Sequence, residues 1–272
     1  MRCGNLVHVS DAKKAILIAL VLLSWPADTP AAAGTPPAQE ITIRLANGEW
    51  APYTGARLPQ QGCDSQVVTE AFALEGIKVV YEFLPWARGY LLSQNGVLEG
   101  AIDWADTTEH RTTHYVSRDY ISRQLWVFFH RKDRSFSWES LNDLTGKTIG
   151  LTLGYAYSDV FKELKTAKPA MFPEATSDSL NLKKLLSGRI DLFPVERSVG
   201  LYLIKTELPA EEQAQLTDHP KPVADLYTHL LLSRVNPGNE QRMLQFDRGL
   251  QQLKASGRYG QIMQPCTAPA LP

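Results

Sequence analysis

The chain has little of three things that would direct it toward other classes of protein: cysteine, surplus positive charge and long apolar runs. It contains 3 cysteines in 272 residues, which excludes a disulfide-dense scaffold. Its 28 Lys and Arg residues against 29 Asp and Glu residues give a net charge of −1. Nucleic acids and anionic membrane surfaces are bound by clustered Lys and Arg, so we predict no nucleic-acid partner.

The apolar run nearest the amino terminus is short. It extends over 15–23 behind three positive residues, whereas a transmembrane helix takes about 20 apolar residues. Positive residues, a short apolar run and small residues at 31–33 are the pattern of a cleavable secretory signal peptide. We therefore predict a signal peptide at 1–33, a flexible leader at 34–40 and a periplasmic protein.

The cysteines permit one disulfide. Cys3 lies in the predicted signal peptide, which leaves Cys63 and Cys266. An even count in an oxidising compartment makes a disulfide a candidate, and it would tie the tail at 266–272 to the first helix. Two buried free thiols are the alternative, and the sequence leaves both open.

Strands and helices are predicted to alternate along the chain. Residues 41–46 alternate as a strand, residues 67–72 carry the apolar stripe of a helix, and residues 77–83 alternate again. A second helix and a strand at 98–104 follow. This order predicts an α/β fold in which mainly parallel sheets are flanked by helices.

A polar break at 131–137 separates this series from a second one. In the second series we predict strands at 147–151, 170–172 and 190–195 and helices at 158–164, 177–188 and 196–207. A strand at 226–233 leads back to the first series, so two crossover strands would act as hinges between two lobes, with a binding cleft between them. Lobe 1 comprises 41–128 and 229–265, and lobe 2 comprises 129–228.

The segment 86–111 contains the strongest candidates for a ligand site. Trp86 begins a predicted helix, Trp104 ends a predicted strand, and Arg111 follows a turn near the carboxyl end of that strand. Open α/β sheets place ligand crevices at this end of their strands. Aromatic faces and one fixed cation suit a small anionic or zwitterionic solute. A surface arginine that pairs loosely with Glu109 or Asp106, and tryptophans packed in the core, are the alternatives.

Four short motifs occur in a characteristic order: EWAPY at 49–53, TEHR at 108–111, LTGKTIG at 144–150 and GRID at 188–191. Together they resemble the bacterial extracellular solute-binding proteins of family 3, the polar amino-acid-binding components of ABC transporters. The resemblance runs from about residue 41 to residue 264. It implies a two-lobed periplasmic binding protein fold of type II and a soluble, monomeric protein without a cofactor.

The residues to which the resemblance assigns the ligand are Trp50, Tyr53, Trp86, Trp104, Arg111, Tyr155, Ala156 and Glu196. It implies that Trp50 and Trp86 sandwich a small carboxylate-bearing solute and that Arg111 pairs with its carboxylate. Glu196 would meet the amino group from lobe 2, and backbone N–H groups around 155–156 would face the ligand. The partner would be an ABC permease, or alternatively a membrane sensor kinase that the protein serves as a sensing subunit.

The chain departs from the family pattern at several of these positions. Trp104 stands where Gly or Ser is usual, Tyr155 where a small hydroxyl residue is common, and Glu196 where Asp is usual. We therefore expect a crowded, more aromatic pocket, in which a standard α-amino acid is not assured as the ligand.

Glu196 also supports a second hypothesis, a periplasmic enzyme that resembles cyclohexadienyl dehydratases. In that hypothesis a cleft glutamate acts as general acid while an arginine holds the substrate's carboxylate. We predict a binding protein rather than an enzyme, because a single candidate acid is visible and a carboxylate at a helix start also complements the helix dipole. His110 and His114 are spaced for one helical face, but no Cys or Glu pattern completes a metal site. We expect a solvated histidine pair and no metal.

Overall fold

The computed structural model describes residues 41–153, 155, 165–166, 168 and 171–267. The predicted signal peptide, the leader, the helix predicted at 158–164 and the chain beyond Thr267 lie outside these residues. The chain divides into two units, Met1–Gln39 and Glu40–Pro272, and every described residue belongs to the second. None of the helices described is both long enough and apolar enough to cross a bilayer.

The secondary structure alternates as predicted. The described strands are β1 (Ile41–Asn47), β2 (Ile77–Phe83), β3 (Gly100–Ala105), β4 (His114–Val116), β5 (Ser122–Arg131), β6 (Leu151–Thr152), β7 (Glu174–Ala175), β8 (Phe193–Glu196), β9 (Leu216–Asp218) and β10 (Ala224–Ser233). The described α-helices are α1 (Cys63–Ala73), α2 (Trp86–Gln94), α3 (Thr108–Thr113), α4 (Asp178–Leu186), α5 (Arg197–Glu207), α6 (Ala210–Gln213), α7 (Asn239–Ala255) and α8 (Arg258–Met263).

The first three strands form the parallel part of the sheet. β1 pairs in parallel with β2 on one side and with β3 on the other. Between β1 and β2, helix α1 buries the predicted apolar stripe, including Val67, Ala71 and Phe72. The chain turns at Gly76 with φ of 72°, a backbone conformation that glycine adopts without a Cβ clash. The end of β1, at Leu45 and Ala46, pairs with the start of β3, at Gly100 and Ala101, and β3 continues beyond it to Ala105.

Two long strands carry the antiparallel part of the sheet. β5 and β10 pair antiparallel from Ser122 opposite Thr228 to Trp126 opposite Ala224. β3 also pairs antiparallel with β10, and β8 with β5, so the sheet order is β2-β1-β3-β10-β5-β8. Pairing is therefore parallel among β1, β2 and β3, as predicted, and antiparallel around the two crossover strands because the chain returns along them in opposite directions.

The strands of the second series are shorter than the sequence predicts. Ile149 makes only a single bridge, to Leu192, and regular pairing begins at β6. The strand predicted at 170–172 is wrong at Met171 and Phe172, and Ala170 lies outside the described residues. Strand β7 lies at Glu174–Ala175, and Phe172 contributes a buried side chain to the core instead. An apolar triplet marks burial, and burial alone does not distinguish a strand from a packed turn.

One buried apolar cluster contains residues of both predicted lobes, among them Phe72, Phe129, Val199 and Phe246. A second cluster, around Phe128, packs Trp138, Leu144, Ile149 and Leu192. Cys63 and Cys266 form a disulfide with their Cα atoms 6.4 Å apart. It links the start of α1 to the chain just after α8, which is one of the two alternatives that the sequence leaves open.

Candidate ligand-binding site

An aromatic recess forms where β1 and β3 end. We define the aromatic recess by Ala46, Asn47, Trp86, Gly89, Tyr90 and Trp104. Trp86 and Tyr90 lie four residues apart on α2 and so share a face of that helix. The ring centroids of Tyr90 and Trp104 are 4.9 Å apart, and those of Trp86 and Trp104 are 6.1 Å apart. Trp86 and Trp104, two of the residues predicted to bind the ligand, are therefore in contact.

Gly48 allows Trp86 to close this recess. A Cβ at Gly48 would overlap the indole ring of Trp86, so only glycine permits the ring to lie against the backbone here. With Trp86 and Trp104 in these positions, the recess leaves no volume for a water molecule. A ligand that binds here must displace an indole ring.

Arg111 lies on α3, next to His110, whose ring meets Tyr90 and Trp104 of the recess. Its side chain is 56% exposed and its Nη2 is 2.5 Å from Asp106 Oδ2. The hydrogen bond with Asp106 raises the pKa of the guanidinium. Thr107 caps α3, since its hydroxyl accepts a hydrogen bond from the backbone N–H of His110 at 3.0 Å. Arg111 is thus held by Asp106, and its pairing with a ligand carboxylate stays a prediction.

A second aromatic group contains Trp50, Tyr53, Trp126 and Tyr155. Ring centroids are 5.4 Å apart for Trp50 and Tyr53, and 6.4 Å apart for Trp50 and Trp126. Tyr155 meets the edge of Trp126 at 5.8 Å and donates its phenolic O–H to Asp178 at 2.6 Å. Trp50 and Trp86 thus belong to different aromatic groups, and the sandwich of a ligand between them stays a prediction. Ala156 lies outside the described residues.

Glu196 is buried, with 2% of its surface exposed, and lies before α5. Its Oε2 accepts the backbone N–H of Val199 at 2.9 Å, so Glu196 is the N-cap of that helix. Tyr53 donates its O–H to Ser198 at 3.2 Å and also contacts the Glu196 carboxyl. Burial raises the pKa of Glu196 to about 7. Tyr53, from the first predicted lobe, therefore touches the helix start of the second.

Two further carboxyls lie nearby that sequence reasoning did not select. Asp64 in the first turn of α1 is fully buried, and Ser122 donates its hydroxyl to Asp64 Oδ2 at 2.6 Å. Thr228 donates its hydroxyl to Asp103 Oδ1 at 3.2 Å and lies 2.9 Å from the Ser122 hydroxyl, so two hydroxyl groups link the two carboxyls. Burial raises the pKa of Asp64 well above its ordinary value and that of Asp103 to about 6. We name Asp64, Asp103, Glu196 and Tyr53 the acidic junction.

The backbone at Asp103 explains why its side chain reaches this junction. Asp103 has φ of 65°, in the left-handed region that few residues other than glycine adopt. Opposite it, the register of β10 shifts between His229 and Leu231, as in a β-bulge. The sequence offers one signal for it, an acidic residue within an otherwise apolar strand.

His114 differs from the expected solvated pair. It is fully buried, with Nε2 2.9 Å from the Ser93 hydroxyl and Nδ1 2.8 Å from the Thr113 hydroxyl. Burial lowers its pKa to about 4. The helix ends at Thr113 and His114 begins β4, which turns the ring inward and makes the helical-face argument wrong here. Within the described ranges, no cluster of His, Cys, Asp or Glu could hold a metal ion.

No family model and no curated protein matches the chain's sequence. Several solved structures are similar to it in fold. A histidine kinase sensor domain with similarity to periplasmic binding proteins is 17% identical, with a TM-score of 0.67 over 85% of this chain and 98% of that one. An ancestral arginine-binding protein bound to arginine is 20% identical, with a TM-score of 0.65 over 84% and 98%.

The ligand-binding core of GluR0 from Nostoc punctiforme, in complex with L-glutamate, is 15% identical with a TM-score of 0.65. The match covers 84% of this chain and all of that one. At these identities the likeness shows the fold alone. The chain has the α/β fold of the two-lobed periplasmic binding proteins, which confirms the predicted fold class.

Proposed function

We propose that this protein is a periplasmic solute-binding protein that captures a small carboxylate-bearing solute, an amino acid or a related compound, between two lobes. Lobe 1 would comprise 41–128 and 229–265, and lobe 2 would comprise 129–228. The observation that carries the proposal is the contact of Trp86 with Trp104 in the aromatic recess, with Arg111 next along α3 to His110, whose ring meets Trp104. Indole faces next to a guanidinium are complementary to a small zwitterion.

The solved structures of similar fold support the same proposal. Those reported above are described as an arginine-binding protein, a glutamate-binding core and a sensor domain, and another is described as an L-cystine ABC transporter component. A ligand shared by two lobes stabilises the closed arrangement, so its binding energy shifts the population toward that form. A membrane partner, an ABC permease or a sensor kinase, would read the closed form.

The contacts between the predicted lobes indicate what a ligand would replace. Tyr53 contacts Ser198 and Glu196 across the proposed cleft. These are polar contacts of the kind that a ligand's own amino and carboxylate groups can take over. Binding would therefore exchange protein–protein hydrogen bonds for protein–ligand ones.

A thermal-shift screen of amino acids and organic acids tests the proposal. A true ligand raises the melting temperature in a concentration-dependent way, by RT ln(1 + [L]/Kd) in free energy. Arg111→Ala and Trp86→Ala should both lose that shift. Arg118→Ala is the matched control, since Arg118 is an exposed arginine with only a loose contact to Asp247 at 3.8 Å. An unchanged shift in Arg111→Ala and Trp86→Ala would place binding elsewhere.

Glu196 favours one second candidate, a dehydratase-like enzyme. Its pKa of about 7 suits a general acid at neutral pH. The carboxyl is, however, already engaged as a helix cap and by Tyr53, and a general acid must reach a leaving group. Turnover of prephenate or arogenate that disappears in Glu196→Gln would establish the enzyme in place of the binding protein.

A further inference from the structure

Tyr90, one wall of the aromatic recess, packs against a buried histidine. Its ring centroid is 4.9 Å from that of Trp104 and 5.3 Å from that of His114. His114 is fully buried, and so is Ser93, which lies one turn beyond Tyr90 on α2. His114 is not one of the residues that line the recess, so it contacts the recess through Tyr90.

The hydrogen bonds around His114 decide which of its ring nitrogens carries the proton. The Ser93 hydroxyl has one proton, and Ser93 donates it to the backbone carbonyl of Tyr90 at 2.9 Å. Toward the His114 Nε2 atom, 2.9 Å away, the Ser93 oxygen can therefore only accept, so Nε2 carries a proton. Burial lowers the pKa of His114 to about 4, and a neutral ring with its proton on Nε2 has an acceptor at Nδ1.

Thr113 supplies the proton for that acceptor. Its hydroxyl lies 2.8 Å from His114 Nδ1 and 3.4 Å from the carbonyl of His110, so the shorter contact, to the ring, takes the proton. The Thr113 oxygen has a lone pair left for the phenolic O–H of Tyr90, which is 3.4 Å away. Tyr90 is thus held at its hydroxyl through Thr113 and at its carbonyl through Ser93. His114 joins the two.

His114 is itself fixed to the sheet. It pairs with Ser233 where β4 begins, and Arg234 Nε donates to the carbonyl of His114 at 3.1 Å. Besides the phenol of Tyr90, the charged or titratable groups of the described residues that act on the ring are Arg234 and His110, and both lower its pKa. The neutral ring is therefore favoured from α3 and from the segment after β10.

The other ring that α2 contributes to the recess is held differently. The contacts described for the Trp86 indole are packing contacts, with the backbone of Gly48 and with Trp104. Apolar packing is non-directional, whereas a hydrogen bond fixes the direction of its groups. Tyr90 is therefore the fixed wall of the recess on α2, and Trp86 is the ring that a solute can displace.

We propose that His114 is a positioning residue of the aromatic recess, which fixes Tyr90 and the face that Tyr90 shares with Trp104. It acts through the hydroxyls of Ser93 and Thr113. The proposal rests on the proposed function and goes beyond it, because it assigns a role in binding to a residue that does not line the recess. A solute that displaces Trp86 then packs against a wall already in place, and such preorganisation avoids the cost of ordering that wall on binding.

The position of the ring proton tests the hydrogen bonds in the unmodified protein. In the full chain labelled with ¹⁵N-histidine at pH 7, the ring signals that disappear in His114→Gln should show a proton on Nε2 and none on Nδ1. A proton on Nδ1 would overturn the proposal, because Thr113 could then not donate to the ring.

Rescue by a conservative variant separates positioning from the filling of space. ¹⁹F spectra of the full chain labelled with 5-fluorotryptophan report on the recess without any ligand, and Trp104→Phe identifies the Trp104 signal. His114→Leu should shift that signal, because Tyr90 loses its anchor. His114→Gln should keep it, because the amide N–H and the amide oxygen replace Nε2 and Nδ1. Thr113→Val, which removes one of the two links, should shift it as well.

His219→Leu is the matched control. His219 is a second buried histidine, whose Nδ1 accepts the backbone N–H of Lys221 at 3.1 Å and whose ring contacts Trp138 of the second apolar cluster. Its removal should leave the Trp104 signal in place. An unchanged Trp104 signal in Thr113→Val, or in folded His114→Leu, would overturn the positioning role.

Calorimetric titration with each of the twenty standard amino acids connects His114 to binding. An amino acid that binds the wild type should bind His114→Leu at least about tenfold more weakly and His114→Gln within about threefold of the wild type. Equal affinities of the wild type and His114→Leu would overturn the positioning role while leaving a binding protein in place. If no amino acid or organic acid binds the wild type, the proposed function is wrong, and the ring proton and the Trp104 signal still decide whether His114 fixes the recess.

Discussion

The region around the aromatic recess and the acidic junction solve opposite electrostatic problems. On α3, next to the His110 ring that meets Trp104, Arg111 is exposed and meets Asp106 in water, where an ion pair contributes at most about 1 kcal/mol. At the junction, Asp64 and Glu196 are buried, and in the described part of the chain no Lys, Arg or His is among the groups that act on either carboxyl. Their charged forms are therefore strongly disfavoured, and the junction depends on protons to remove its charge.

The largest expected change in the free energy of unfolding follows removal of the disulfide, which fixes the chain beside the junction. It closes a loop with a sequence separation of 203 residues and fixes Cys63, the residue before Asp64. The double variant Cys63→Ala/Cys266→Ala should lower the free energy of unfolding by roughly 3–5 kcal/mol, because the unfolded chain regains the freedom of a long loop. Urea unfolding measures this. Reduced wild-type protein should behave like the variant, and a loss under about 1 kcal/mol would contradict the prediction.

The carboxyls of the junction should make stability fall as the pH rises. The folded-state pKa is raised to about 6 for Asp103 and about 7 for Glu196, so between pH 4 and 7 the folded protein holds protons that the unfolded chain has released. Their stabilising effect is present at low pH and is lost as the pH rises through those values. For Glu196 the loss is about 3 kcal/mol. Asp178 and Asp247, whose pKa values burial also raises, act in the same direction.

Unfolding free energies measured from pH 4 to pH 8 test this slope. Glu196→Gln keeps an acceptor for the Val199 N–H and removes the titrating group, so its profile should be flatter than that of the wild type. Equal slopes in the two proteins would show that folding does not raise the pKa of Glu196.

His114, near the recess, should make stability rise with pH and so oppose the fall in stability that the junction carboxyls cause. Its folded pKa of about 4 lies below the ordinary value of 6.5, so the folded protein keeps it neutral. This contribution is present above pH 6.5 and is lost as the pH falls toward 4. His114→Gln, which retains contacts to Ser93 and Thr113, should therefore steepen the fall in stability with rising pH. A profile that is unchanged would mean that His114 is accessible to protonation in the folded state.

The smallest effect is expected for the ion pair at the rim. Arg111→Gln should change the free energy of unfolding by less than about 1 kcal/mol, because the Arg111 side chain is 56% exposed and solvent screens the pair. Chemical unfolding at low and high salt checks this.

Asp64→Ala leaves the Ser122 hydroxyl without its buried acceptor. This variant should lower the free energy of unfolding by about 1–3 kcal/mol, a larger loss than that of Arg111→Gln, which separates the two regions.

Much of the fold follows from local pattern. The apolar stripe at 67–72 and the alternation at 77–83 correspond to α1 and β2, because burial on one face requires that spacing. The strand predicted at 170–172 is wrong because the same apolar pattern that identified the other elements indicates burial and not strand structure. Phe172 is buried without being in a strand.

The candidate site was harder to predict. Trp86 and Trp104 were selected from their places at a helix start and a strand end, and Tyr53 was selected through the family resemblance. The structure places the first two together in the recess and the third against α5. Asp64 and Asp103 were missed because each has a common local explanation, a helix start and a turn. Nothing local indicates that α1 and β3 bring them into contact.

The sequence by itself determined the alternation of strands and helices, the cysteine pair available for a disulfide and the absence of basic clusters, because each depends on residues near one another or on composition. Only the tertiary structure decided that three carboxyls lie together with no Lys, Arg or His of the described residues acting on them, that His114 is buried, and that Trp50 and Trp86 belong to separate groups. Those outcomes depend on which strand ends become neighbours in the sheet. The pKa of a carboxyl is set by its neighbours in space and by its distance from water, and the residues on either side of it in the sequence determine neither.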